Sequence, residues 1–162
     1  MGKDIEELKP EEVLTLDIAT KTGYYHVSDG GGVWDFAPAV KRNDRKTYKA
    51  FRDTLVQFIK ANNIRQIVAE DVNVKGYFAA MRKLSEMRGI MREVCESLGI
   101  NDPIFVGVGA IKYCLAGNVS AKKEAIIKSV TQKFDVTPID DNHADAMAIY
   151  YYYIKNKKRL LK

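Results

Sequence analysis

The sequence is poor in the features that mark membrane, secreted or zinc-stabilised proteins. Its two cysteines, Cys95 and Cys114, stand 19 positions apart with no paired Cys or His spacing around them, which argues against a disulfide framework and a zinc knuckle. No apolar run approaches the roughly 18 residues that a membrane span needs. The opening MGKDIEELKPEE is acidic and lacks the apolar stretch of a signal peptide. We therefore expect a reduced, cytoplasmic protein with no membrane partner. No internal repeat, low-complexity tract or Pro/Gly/Ser linker divides the 162 residues. At roughly 100–200 residues per domain, one domain is expected, spanning residues 13–157. An acidic extension at 1–12 precedes it and a basic tail at 155–162 closes it.

What the sequence does have is uneven charge. The formal net is +5, yet residues 1–12 hold five acids and two lysines. The remaining 150 residues carry 24 basic and 16 acidic groups. Much of the excess lies in Lys41 to Arg52, Lys75 to Arg92 and Lys155 to Lys162. A basic body suits a polyanion, because Lys and Arg that neutralise phosphates release condensed counterions. For any single run a solvated surface is the commoner explanation, and charge alone decides nothing.

The apolar pattern predicts strands at Val13 to Ala19, Gly23 to Ser28, Gly32 to Phe36, Arg65 to Val72 and Pro103 to Val108. Helical spacing predicts helices from Asp44 to Ala61 and from Tyr77 to Leu98. The stripe of the second is Phe78, Met81, Leu84, Met91, Val94, Cys95 and Leu98. A short helix follows at Ala110 to Leu115, another runs from a Ser120 cap to Phe134, and a last one runs from Asp140 or Asp141 to about Lys157. Strands joined by turns are antiparallel, and strands joined through helices are parallel neighbours. The expected class is α/β: a mixed five-stranded sheet, three antiparallel strands then parallel ones, flanked by helices.

Against that pattern several carboxylates are misplaced. Asp17 interrupts the first strand between Leu16 and Ile18. Glu70 and Asp71 interrupt the fourth after Ile67, Val68 and Ala69. Asp145 lies on a small-residue face of the last helix with Ala144, Ala146 and Ala148. An ionised carboxylate in a buried strand costs on the order of several kcal/mol unless it is paired or bound to metal. Acids from three separate elements suggest one meeting point, and oxygen-only ligands suit Mg²⁺ or Mn²⁺ rather than zinc. Two such ions about 4 Å apart can activate water and stabilise the leaving oxygen of a phosphodiester. In the last helix Asp141 shares a face with Asp145 at i, i+4, and Asn142 does so at i, i+3. His143 lies on another side, as a ligand re-aimed by fraying or as a capping or solvent-facing residue.

These segments together resemble the RuvC family of Holliday junction resolvases, of ribonuclease H-like fold, and especially its small phage-type members. LTLDIATKTGYYHV is similar to the first-strand motif, with the catalytic Asp on Asp17, and IVAEDV to the strand motif that places a catalytic Glu on Glu70. LSEMRGIM (84–91) resembles the long-helix segment with its Arg-Gly pair, Arg88-Gly89. IKYCLAGNVSAKK (111–123) resembles the basic segment whose lysines fall on Lys112 and Lys123. DDNHADAMAI resembles the terminal D-x-x-D-A motif, with the last Asp on Asp145. The family's fourth acid falls on Asn142 here, so Asp141 is the preferred substitute and His143 the runner-up. Asn73 stands where bacterial members carry an aromatic wedge. Tyr77 or Phe78 offers stacking a turn later, although both also suit the helix core.

The resemblance implies a structure-selective endodeoxyribonuclease that resolves four-way and other branched DNA. Two Mg²⁺ ions, or Mn²⁺, would be held by Asp17, Glu70, Asp145 and Asp141, with His143 as a further candidate, and Lys112 and Lys123 would serve the scissile phosphate. Nucleic-acid contacts would come from Lys75, Tyr77, Arg82, Lys83, Arg88, Lys112, Lys122 and Lys123. A homodimer is implied, with the long helix as its contact, in a bacterial or phage-infected cytoplasm. Rival readings are a YqgF-like nuclease acting on structured RNA and an inert branched-DNA binder. An actin-like kinase needs two such domains, and Gly30 to Gly32 lack the Lys-Ser/Thr of a phosphate loop. His26, Trp34, Cys95 and the run Tyr150 to Tyr153 read mainly as structure.

Overall fold

The structure, a computed structural model, describes residues 7–37, 44–71 and 78–160. Five strands form it: β1 (Val13–Asp17), β2 (Lys21–Tyr25), β3 (Gly32–Asp35), β4 (Gln66–Glu70) and β5 (Ile104–Val106). Helices α1 (Asp44–Asn62), α2 (Phe78–Ser97), α3 (Val108–Ala116), α4 (Lys123–Phe134) and α5 (Asp141–Leu160) complete it. The sheet order is β3-β2-β1-β4-β5. β1, β2 and β3 pair antiparallel, while β4 runs parallel to both β1 and β5. The expected mixed sheet is the one found.

Strand alternation splits the core into two layers. Leu14, Leu16, Ile67 and Ala69 pack beneath α1 and α2 with Phe51, Leu55, Met87 and Met91. Val13 and Val68 face α3, α4 and α5 on the other side, against Ile111, Ile126, Ala144, Met147 and Ala148. Thr15, also on that side, donates from Oγ1 to the Ala146 carbonyl at 2.7 Å, fully buried. By the same alternation Asp17 and Glu70 face α5.

Several boundaries differ from the sequence pattern for local reasons. β2 stops at Tyr25 because the chain turns at His26, whose carbonyl accepts the Gly30 N–H at 2.9 Å. His26 is buried, its ring nitrogens engaging Ser28 Oγ and the Glu11 carbonyl, so it is structural. Ser120 does not cap α4. Asn118 Oδ1 accepts the Ser120 N–H at 2.9 Å, and the resulting turn delays the helix to Lys123. The acidic leader is not wholly free, since Leu8 and Glu12 are buried and the Glu12 carbonyl accepts the Arg65 N–H. In α2 the stripe fails at its first turns: Phe78 is 79% exposed and Met81 is exposed, while Met87 is buried. Phe78 precedes Met87 by nine residues, about 180° around a helix of 3.6 residues per turn, so it cannot share the core face. Among the described residues no helix is long and apolar enough to cross a membrane.

One glycine sets the position of α5. Gly23 on β2 is the register partner of Asp17. A Cβ built there would stand 1.8 Å from the Asn142 carbonyl oxygen and 2.2 Å from its carbon. Backbone lies directly on backbone, and neither side can rotate away. Replacing Gly23 with Ala should therefore push α5 off the sheet at a cost of about 1–3 kcal/mol or more. Urea unfolding would show it as a lower midpoint, and an unchanged midpoint would contradict this packing.

Candidate active site

The site is built at the ends of β1 and β4. Each strand finishes on its acid, Asp17 or Glu70, one residue past the Leu16–Ala69 register pair. The parallel pairing sets the two side by side on the α5 face. Asp145 arrives from α5, one residue before Ala146, whose carbonyl is fixed by Thr15. All three carboxylates are half-buried.

Their electrostatics record the convergence. Burial, then the negative charges of Asp145 and Glu70, push the Asp17 carboxyl up to about 8 against the pull of Lys123. Burial and Asp145 push Glu70 up to about 7, opposed by Lys112. Burial lifts Asp145 to about 6, with Lys123 and Lys112 opposing and Asp141 and Asp140 adding to the rise. Three like charges in a half-desolvated place are mutually costly. Lys112 and Lys123 offset that cost, and both line a cleft with Glu70, Asp145, Val108 and Ile126.

The surrounding candidates divide. Asp141 is paired with Lys123, Nζ to Oδ2 at 2.7 Å, and this bond holds its carboxyl below the ordinary range. His143 is buried rather than solvent-facing. Its Nδ1 accepts the Ile139 N–H at 3.0 Å, which requires the proton on Nε2, and Nε2 then donates to the Gly30 carbonyl at 2.8 Å. With both nitrogens committed, His143 pins the β2–β3 turn to α5 and has no lone pair to give a metal. The cap of α5 is Asp140, whose Oδ1 accepts the His143 N–H at 2.9 Å. Its nearness to Asp17 and Asp145 and the role of Gly23 were not singled out from sequence. Only the Asp-x-Asn-His spacing for the cap, and a glycine inside a strand, could have signalled them.

Of the candidate nucleic-acid contacts, Arg82 and Lys122 are exposed. Lys83 pairs with Asp44 at 3.3 Å, and Arg88 pairs with Asp71. Lys75 and Tyr77, and the wedge position Asn73, lie outside the described residues.

Among the described residues no three His, Cys, Asp or Glu side chains stand in metal-sharing geometry. The chemistry nevertheless fits: all donors are carboxylate oxygens, and their pooled negative charge is what a hard cation relieves.

No family model and no curated protein matches the sequence. Solved structures do. RuvC of Thermus thermophilus superposes with a TM-score of 0.74 at 15% identity, covering 91% of this chain and 95% of that one. The fold is that of RuvC. The same protein in complex with a Holliday junction substrate matches with a TM-score of 0.73 at 14% identity, over 91% of this chain and 94% of that one. The yeast mitochondrial Holliday junction resolvase Ydc2 matches with a TM-score of 0.63 at 9% identity, covering 96% and 83%. The RuvC-like architecture is thus shared at identities of 15% or lower.

The raised carboxyls give stability a definite sign with pH. Each binds protons more tightly folded than unfolded, so this contribution is full below the unfolded range near pH 4 and is lost as pH rises toward about 8. In chelator, melting should fall between pH 5 and pH 8.5. Asp17→Asn should raise the melting temperature at pH 8 and flatten the profile. A mutant no more stable than wild type at that pH would contradict the crowding of charge.

Proposed function

We propose that this chain is a metal-dependent endonuclease acting on branched DNA, four-way junctions foremost. The observation that carries this reading is the meeting of Asp17, Glu70 and Asp145 on one face of the sheet beside Lys112 and Lys123. A protein that merely bound polyanions would gain nothing from three half-buried negative charges. The solved relative bound to a Holliday junction has this fold, which supports DNA branches as the substrate class.

Asp17, Glu70 and Asp145 would hold two Mg²⁺ ions, with Mn²⁺ as a substitute and Asp141 as a fourth carboxylate. When bound, these ions supply Lewis acidity and a water activated for attack on phosphorus. The chain's own groups do the rest. Glu70 and Asp17 present oxygen from rigid strand ends rather than from loops, which keeps the donors in place. Lys112 sits beside Glu70 and Asp145 and offers its ammonium to a backbone phosphate entering the cleft. Lys123, already hydrogen-bonded to Asp141, ties that carboxylate to the same edge and adds a second positive charge. Symmetric cutting of a four-way junction needs two such sites about a two-fold axis, so the active form is a homodimer.

Synthetic four-way, three-way and linear DNA, together with a structured RNA, separate the readings. With Mg²⁺ the wild type should cut four-way DNA most readily and linear DNA and RNA poorly, and a chelator should stop it. Asp17→Asn and Asp145→Asn should each remove cutting while junction affinity stays within about threefold, because phosphate contacts carry the affinity. Preferred cutting of RNA, or normal cutting by Asp17→Asn, would overturn the proposal.

A further inference from the structure

We infer that Arg88 is a positioning residue for Glu70, reached through Asp71, and not a phosphate contact. The inference rests on the nuclease reading for its catalytic readout. Arg88 projects from α2 onto the sheet face opposite the carboxylates. Its guanidinium lies over the Phe105 ring, 3.6 Å from the centroid, and its Nη1 is 2.5 Å from Asp71 Oδ1. The Arg88 side chain is 32% exposed and that of Asp71 52%, so the ring stacking rather than the ion pair carries most of the hold. One group thus touches both strands, β4 just past its end at Asp71 and β5 at its central Phe105.

Register explains why that grip reaches the site. Glu70 pairs with Val106 on β5, and the Asp71 N–H donates to the Val106 carbonyl at 2.8 Å, carrying the ladder one residue past Glu70. Alternation sends Glu70 to the α5 face and Asp71 to the α2 face. Arg88 therefore holds, from behind, the residue peptide-bonded to Glu70. The Asp71 bond and the ring stacking orient the planar, always-charged group toward the two strands, and a phosphate would have to compete with Asp71 for that orientation. Groups hydrogen-bonded directly to a metal ligand typically matter about 10–100-fold in metal affinity or activity, and a hold one peptide unit away is placed at the low end of that range.

The test compares Arg88→Gln, Asp71→Asn and Arg88→Lys in the full chain. Its readouts are melting temperature, Mn²⁺ affinity by electron paramagnetic resonance, junction affinity against salt in chelator, and kcat and KM for cutting. Arg88→Gln and Asp71→Asn should each lower Mn²⁺ affinity and kcat by about tenfold, with junction affinity and its salt slope unchanged. Arg88→Lys, which keeps the charge and loses the flat stacking, should recover part of both and control for folding. The inference is overturned if Arg88→Gln weakens junction binding and reduces the salt slope by about 0.9, the loss of one phosphate contact, while Asp71→Asn retains wild-type kcat and Mn²⁺ affinity. It is equally overturned if kcat and Mn²⁺ affinity stay at wild-type values in both. Wild-type protein that binds Mn²⁺ without cutting any junction would instead refute the nuclease reading, and the Mn²⁺ affinities would still decide the role of Arg88.

Discussion

Three carboxylates are held together by packing in which they take no part, and the rest of the structure answers to that constraint. Left to themselves, Asp17, Glu70 and Asp145 would separate, since burial and mutual repulsion raise the cost of each charge. What prevents it is the seat of α5 on the sheet. Backbone meets backbone at Gly23, Thr15 fixes the Ala146 carbonyl, and His143 ties the helix start to the β2–β3 turn. These contacts are short-ranged and directional, so the helix has little freedom to relax the charges it brings in.

The distribution of cations follows the same logic. Lys112 and Lys123 stand at the cleft and temper the acids, while Arg88 and Lys83 are tied to Asp71 and Asp44 on the α2 side. Two of the basic side chains on α2 thus have an acid within ion-pair distance. Charge on one helix is divided between holding the fold and meeting solvent, and only the partners across the sheet show which is which.

Much of this was legible in the sequence. The alternation around Leu14 and Leu16 and around Ile67 and Ala69 marks the strands, and an acid that breaks such a run stands out because burial of charge is expensive. Those two breaks and the small-residue face at Asp145 pointed to the strand ends and the helix face where the three carboxylates approach one another. The resemblance to RuvC agrees with the fold found in solved structures. Other features depend on distance in space and were not legible. Nothing local to His143 reveals the Gly30 carbonyl 113 residues away, so its use as a pin rather than a ligand emerged only with the fold. The apolar content of Phe78 and Met81 suggested core, but their angle from Met87 turns them outward. The contacts of Arg88 with Asp71 and Phe105, each 17 residues away in the chain, were likewise visible only in the fold.

The central claim is that the acids at positions 17, 70 and 145 form a shared divalent-cation site. An anomalous difference map from crystals soaked in Mn²⁺ tests it most directly. The account predicts manganese peaks among those three side chains and their disappearance in Asp17→Asn crystals. Saturating Mn²⁺ that gave peaks only elsewhere on the protein, or left the three carboxylates without one, would contradict it.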